Sequence, residues 1–502
     1  MMKTVIRGGR VLSDDGTQLV DADVLVDNDR IEAVGKLEST QVEWTVIDAR
    51  NRIIVPGLIN SHTHSHNNLT RGSADNWTLE DLLNNGPALL AGRTIEEQYL
   101  SAAIGAIEML KTGCTSAYDL FMALPAPTPE GCEAVVRAYA DVGMRAVLAP
   151  AVADVVFYKT VPDLLDLLPP DLRATVAAIE AAPTDGLLRL AEEHVRRWDG
   201  HAGGRIRAAV SPTIPGQASE DLLLGFGRIV REYGVGFHTH LAESKVQAIY
   251  AQRRWGTTIA GHLGKLGLLN DCFCGAHSVW LTPDDIATLA DTGASVAHNP
   301  ASNLKLGSGI APVREMLDAG INVGIGTDGS MSSDNQNLFE AMRFAALIGS
   351  VRFPHDTANW IGAADAFRMA TTGGSRLLGM ADDLGAITPG YKADLVLLRA
   401  DSVHLRPSSV PLHSLVYVET GASVDTVLVD GRVVVEHGRV TTVDEDRLRS
   451  QAQEAAERIR AGNSDARLLS ESLAPYLAAA CSAAVAERYP VNRYAVAGGE
   501  IV

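Results

Sequence analysis

Short β-forming runs broken by turns open the chain, at residues 4–12, 23–27, 31–34 and 46–49. The same texture returns late, at residues 393–398 and 426–435. Between them, apolar strand-like runs alternate with segments of helical period. Eight such runs stand out: 53–64, 113–120, 145–152, 206–211, 235–241, 272–279, 294–299 and 323–328. Amphipathic segments separate them, among them 95–110, 220–233 and 283–291. Alternation of this kind is the pattern of a parallel sheet wrapped by helices. Eight strands with intervening helices predict an α/β barrel, whose functional groups sit at the strand C-termini. The two outer β-textures predict one small domain built from both chain ends. Residues 444–502, rich in Ala, Arg and Glu, read as two helices, 446–461 and 466–487, suited to packing or assembly; their surplus apolar surface predicts a homo-oligomer.

The strand ends carry the chemistry. The first run breaks at Pro56-Gly57 and continues as Leu58-Ile59-Asn60-Ser61-His62-Thr63-His64. Side chains alternate faces along a strand, so His62 and His64 point the same way and can grip one ion. His240 ends the fifth run in His238-Thr239-His240-Leu241-Ala242-Glu243; His277, His298 and Asp328 end the sixth, seventh and eighth. One histidine at a strand end is ordinarily a hydrogen-bonded structural residue; several at the same end of one barrel make a site. His62, His64, His240 and the Asp328 carboxylate form a mixed nitrogen and oxygen set suited to Zn²⁺ or Fe²⁺. Such an ion leaves a position for water and lowers that water's pKa toward neutrality, supplying hydroxide for attack. Asp328 can bind the metal weakly and accept the water proton. Glu243, three residues past His240, can carry protons without being a ligand. His277 can polarise the bond under attack. The fourth run has no Lys to bridge a second ion, so one metal is expected.

Several residues compete with this set. His238 shares a strand face with His240 and is a rival ligand; His240 lies nearer the strand end and pairs with Glu243. His66 extends the first motif into the loop. Asp334 follows the eighth run and reads as a solvated acid.

Composition narrows the partners. A chain of 502 residues, 46% hydrophobic, can bury a large core and a smaller one. A net charge of -18 argues against nucleic acid and anionic lipid. No secretory signal and no uninterrupted apolar run of bilayer length is recognisable, and five scattered cysteines predict no disulfides and a reducing cytoplasm.

Taken together, Pro56 through His64 with Arg71-Gly72, Lys111-Thr112-Gly113-Cys114-Thr115, His238 through Glu243, and His277-Ser278-Val279-Trp280-Leu281 form a recognisable series. It continues with His298-Asn299-Pro300-Ala301-Ser302-Asn303, Gly326-Thr327-Asp328-Gly329 and Gly385-Ala386-Ile387-Thr388-Pro389-Gly390. On these motifs the chain resembles the amidohydrolase superfamily, in the branch of cytosine, guanine and S-adenosylhomocysteine/methylthioadenosine deaminases and triazine chlorohydrolases. The resemblance implies a distorted (β/α)₈ TIM barrel of residues 57–385. It also implies a β-sandwich domain of residues 1–56 and 386–443, with 444–502 as a helical C-terminal extension. It implies one Zn²⁺ or Fe²⁺ on the residues matching His62, His64, His240 and Asp328, with Glu243 and His277 as proton shuttle and polarising group. Nucleoside-type members carry an acid followed by Trp in the loop after the first strand. Here that stretch is Asn76-Trp77-Thr78-Leu79-Glu80-Asp81-Leu82-Leu83, where Asp81 stands for the acid, Leu82 replaces the Trp, and a Trp occurs earlier. Trp77, Asp81, His298 and Asn303 are the candidate substrate contacts, and residues 154–171, with Phe157-Tyr158, are placed to line or cap the pocket.

The expected activity is hydrolysis of a C–N bond at an amidine-like carbon of a nitrogen heterocycle, with release of ammonia from a small molecule. The same site would serve an amide, urea or carbamate hydrolase or a chlorohydrolase. A non-catalytic scaffold should have lost a ligand or Glu243, and none is missing.

Overall fold

The structure, a computed structural model, describes residues 3–13, 16–38 and 43–494. Its centre is a curled, wholly parallel sheet: β1 (Leu58–His64), β2 (Cys114–Phe121), β3 (Arg145–Val152), β4 (Ile206–Pro212), β5 (Gly236–Leu241), β6 (Phe273–His277), β7 (Ser295–His298), β8 (Asn322–Ile325) and β9 (Asp328–Gly329). The spatial order is β8-β7-β6-β5-β4-β3-β2-β1-β9. β2 and β3 are buried along their whole length, as expected of strands covered by helices outside and side chains inside.

The eighth run divides in two. β8 stops at Ile325, the chain bends through Gly326-Thr327, and β9 pairs with β1, Asp328 opposite Thr63 and Gly329 opposite His64. The bend needs glycine: a Cβ on Gly326 would lie 2.3 Å from Asn299 Oδ1 and 2.8 Å from the His62 Cβ. Closure through two residues makes the barrel a distorted one. The helices expected between strands are present at Ile95–Lys111, Glu220–Tyr233 and Pro283–Thr292. Thr94, Ser219 and Thr282 cap their N-termini, and Gly234 ends the second in a left-handed conformation.

The chain ends form a second, mixed sheet of nine strands. They join where Leu395–Arg399 pairs antiparallel with Arg52–Pro56. The first apolar run therefore divides at Gly57, with Arg52–Pro56 in the mixed sheet and Leu58–His64 in the barrel. A Cβ on Gly57 would fall 2.1 Å from Thr115 Oγ1, so only glycine lets the chain pass between the sheets. Ile6, Val24, Ile54, Leu395 and Leu428 share one core drawn from both ends. Arg145, buried at the start of β3, ties the two sheets: it donates to both oxygens of Asp394, each at 3.1 Å, and also to Asp430. Taking one partner from such a buried set leaves an uncompensated charge, at a cost of about 3–5 kcal/mol.

The C-terminal helices, Glu445–Ala461 and Ser464–Ala486, lie against the barrel. Leu473, Leu477, Ala480 and Ala484 of the second are buried there. Asn84 Nδ2 donates to the Ser470 carbonyl at 3.0 Å, and Lys245 Nζ to the Val485 carbonyl at 2.6 Å. Ser464–Ala486 is long and apolar enough to cross a membrane by length and composition alone. A search for uninterrupted apolar runs passes over it because Asp465, Arg467, Glu471 and Pro475 interrupt it. Its buried face here packs on the helix Leu79–Leu90. Beyond it the chain returns to the loops that follow β6 and β7, where Tyr489 Oη donates to the Trp280 carbonyl at 3.1 Å and Ile310 N to the Arg493 carbonyl at 2.7 Å.

Candidate active site and metal centre

Five buried side chains from four strands, His62 and His64 of β1, His240 of β5, His277 of β6 and Asp328 of β9, converge at the C-terminal mouth of the barrel. His64 gives its Nδ1 proton to the Leu120 carbonyl at 2.7 Å, and His240 gives its own to the Thr213 carbonyl just past β4. A main-chain carbonyl only accepts, so each ring presents Nε2 with a free lone pair. His64 Nε2 lies 3.0 Å from His240 Nε2 and 3.1 Å from Asp328 Oδ1; His62 Nε2 lies 3.3 Å from the same oxygen. Ligand atoms of His62, His240, His277 and Asp328 all fall within 4.8 Å of one another. His62 Nε2 and Asp328 Oδ1 are buried without a hydrogen-bond partner. Lone pairs facing one another at such distances repel unless a cation lies among them. The donor set fits a divalent ion.

Asp328 sits in the left-handed region at φ 61°. Its Oδ2 accepts from the Ser302 and Ser332 hydroxyls, each at 2.6 Å, which turns Oδ1 toward the imidazoles. Burial works against its charge, yet His62 and His64 hold the carboxyl well below the usual carboxylate range. Burial pushes His62 far down and His240 to about 3. His64 is lowered by burial but raised overall by Asp328 beside it. The space between His64 Nε2 and Asp328 Oδ1 therefore favours positive charge.

Glu243 lies beyond β5, where Ala242 at φ 48° swings the chain across the mouth. Burial, then the charges of Asp328 and Glu80, push its carboxyl well above the usual range. Its Oε1 is 3.6 Å from His277 Nδ1. His277 ends β6 at φ 66°, followed by Ser278 at φ 51°. Two successive left-handed residues are strained, and Ser278 N holds them by donating to the Leu241 carbonyl at 2.9 Å. Burial lowers the His277 ring, whose Nδ1 is 2.8 Å from Asn303 Oδ1 while Nε2 has no partner.

A cavity of 470 Å³ opens above this floor of His64, His240, Glu243, His277 and Asp328. Phe157 and Tyr158, expected to line it, do so. Of the four candidate substrate contacts, none lines it. Asn303 lies behind His277. His298 is buried beside a separate small cleft with Arg314 and Arg352, and burial lowers it to about 3. The Asp81 carboxylate accepts from Thr78 N and Oγ1, each at 3.0 Å, capping the helix Leu79–Leu90. Trp77 stands outside the lining. His238 packs one layer deeper, edge-on to Tyr118 with Nε2 3.5 Å from Cys274 Sγ. His66 does line the cavity, its Nδ1 accepting from Met122 N at 3.0 Å. Asp334 is ion-paired with Lys305.

Ser302, Ser332 and Gln336 were not singled out by the sequence. Gln336 accepts from Thr63 and Thr327 at 2.6 and 2.7 Å and donates to the Asp328 carbonyl at 3.0 Å, fastening β9 to β1. The motif running from His298 to Asn303 carried a signal for Ser302; nothing around Ser332 or Gln336 marked them.

The profile of the amidohydrolase family matches residues 53–434. A 5-methylthioadenosine/S-adenosylhomocysteine deaminase of Acetivibrio thermocellus is 33% identical over 415 residues, 82% of this chain and 88% of its own length. A 5'-deoxyadenosine deaminase of Methanosarcina barkeri is 33% identical over 464 residues, 91% of this chain and 99% of its own. Among solved structures, atrazine chlorohydrolase from Arthrobacter aurescens, complexed with zinc, superposes with a TM-score of 0.82 at 29% identity, over 90% of this chain and 100% of its own.

Proposed function

The chain belongs to the amidohydrolase family, and from that premise we propose that its site removes ammonia from an amidine-like carbon of a nitrogen heterocycle. It is a hydrolase of carbon–nitrogen bonds other than peptide bonds, in keeping with relatives named as deaminases, and its donor set suits a divalent metal. The observation that carries the mechanism is the meeting of His64, His240 and Asp328 with Glu243 and His277 on the floor of one cavity, with His62 Nε2 3.3 Å from the same Asp328 oxygen. Within this reading the chain divides into residues 1–56 with 386–443, residues 57–385, and residues 444–502.

We assign the ion to His62, His64, His240 and Asp328, and take it as Zn²⁺, which suits three imidazoles and a carboxylate. When bound, it lowers the pKa of a water and so supplies the nucleophile at neutral pH. Asp328 Oδ1 accepts the proton that the water gives up. Glu243 gives its proton to the ring nitrogen as the C–O bond forms. As a carboxylate it then takes the remaining proton of the added hydroxyl and passes it to the amino nitrogen, so that the C=O bond forms, the C–N bond breaks, ammonia leaves, and the proton held by Asp328 returns to Glu243.

His277 Nε2, free of other partners, stabilises the oxygen that gains charge. Its assignment to substrate rather than ion rests on its neighbour. His64 and His240 lean on carbonyls, but His277 leans on the Asn303 amide, which can offer either oxygen or NH₂ and so allows Nε2 to keep its proton. Asn303→Leu is expected to lower kcat by roughly 10–100-fold with the metal retained. Loss of metal from that variant would make His277 a ligand.

The test is ammonia release from the Zn²⁺-loaded protein across adenosine-type nucleosides, purines, pyrimidines, pterins and triazines. Release that vanishes with a chelator and returns with Zn²⁺ is expected. Chloride from chlorotriazines as the sole product would instead favour the activity of the structurally similar chlorohydrolase.

A further inference from the structure

The walls of the cavity differ in chemistry from its floor. Leu82, Leu83 and Leu90 come from the helix Leu79–Leu90, Val155 and Phe157 from the segment after β3, and Leu469 from the C-terminal helix. Several polar groups higher in these walls are engaged with one another. Asn84 donates to the Ser470 carbonyl at 3.0 Å and hydroxyl at 3.1 Å, and accepts from Tyr158 Oη at 3.1 Å. Ser332 donates to Asp328. The exceptions are His66, Asn67 and Thr213 next to the floor, Gln217, and Glu180, which is exposed at the mouth. A sugar held against this apolar wall would set vicinal hydroxyls against carbon, and each hydroxyl buried without a partner loses roughly 10-fold in affinity. Hydrocarbon would gain from the same walls.

The chamber is also built by the end of the chain. The bond between Asn84 and Ser470 sets the C-terminal helix against the helix Leu79–Leu90, and Leu469 then completes the wall. We propose, on the footing of the deaminase reading above, that the substrate is an amino-substituted nitrogen heterocycle bearing an uncharged alkyl or aryl substituent in place of a sugar. Leu469 of the C-terminal helix takes part in recognising that substituent.

The experiment measures calorimetric binding to the Zn²⁺-loaded full chain of 9-methylhypoxanthine, 9-hexylhypoxanthine and inosine, ligands that carry no amino group to remove. The hexyl compound is expected to bind roughly 100-fold more tightly than the methyl compound, and more tightly than inosine. Leu469→Asp is expected to shrink the hexyl-to-methyl ratio below roughly 10-fold; Leu82→Asp serves the same end where Leu469→Asp fails to fold. Equal binding of hexyl and methyl ligands, or tightest binding of inosine, overturns the proposal. Ammonia release from the matching 9-alkyladenines is read separately. Release without chain-length preference removes the chamber and keeps the deaminase; preference without release does the reverse.

Discussion

Glu243→Gln is expected to cut ammonia release by roughly 10³-fold while the metal stays bound. The substitution keeps size and shape but removes the only atom there that can take a proton and give it back. Glu243 is suited to that traffic because it is buried, faces the cavity, and has its proton affinity raised by burial and by Asp328 and Glu80. No other carboxyl among the described residues occupies the cavity floor beside Asp328. The variant should not be less stable than the parent. A carboxyl whose folded pKa is raised destabilises the native state as pH climbs above its unfolded pKa, and an amide has no such dependence. Metal content and melting temperature at pH 8 are therefore the controls. Activity surviving near the parental level, with metal bound and Tm unchanged or higher, would remove Glu243 from the proton path.

What the sequence made legible follows from which interactions are local. Strand parity put His62 and His64 on one face, and spacing put Glu243 one turn past His240; both arise within a few residues and needed no tertiary knowledge. The eight runs were likewise readable, because each buried parallel strand is an apolar run between helical segments, although the eighth run holds two strands. The break at Pro56-Gly57 was readable from its turn residues, but the split at Gly326 was not. There the glycine is demanded by an atom far along the chain, Asn299 Oδ1, which no local pattern reveals. The candidate substrate contacts stand outside the cavity lining for a related reason. Asp81 sits three residues after Thr78, the spacing of a capping box, and that local bond claims its carboxylate before the cavity can. Asn303 was placed correctly near the site but in the wrong layer, because its distance from His277 is set by how the loop after β7 folds back. Leu469 lay in helices read as assembly elements, since nothing local tells an apolar face that packs on a neighbour from one that lines a cavity.

Asp328→Asn carries the largest expected loss, because it strikes the metal and the proton acceptor together. Oδ1 of Asp328 is the atom on which His62 and His64 converge, and Oδ2 is already spent on two serine hydroxyls. An amide placed there either turns its NH₂ toward the imidazoles, setting a donor where an anion belongs, or turns it toward Ser302 and Ser332 and faces the ion with a neutral oxygen. Neither supplies the missing charge, so activity is expected to fall on the order of 10⁴-fold and metal occupancy with it, read by elemental analysis after dialysis. Asparagine is the informative replacement, since it tolerates the left-handed backbone that Asp328 adopts at φ 61°. Asp328→Ala adds a backbone penalty of about 1–2 kcal/mol at the same position and loosens β9, the two-residue strand that closes the barrel. A lower Tm for the alanine variant than for the asparagine variant, at equal loss of metal, would separate the strand's structural part from the carboxylate's chemical one. An asparagine variant that kept full metal and full activity would instead mean that the three imidazoles hold the ion alone and that the water's proton leaves by way of Glu243.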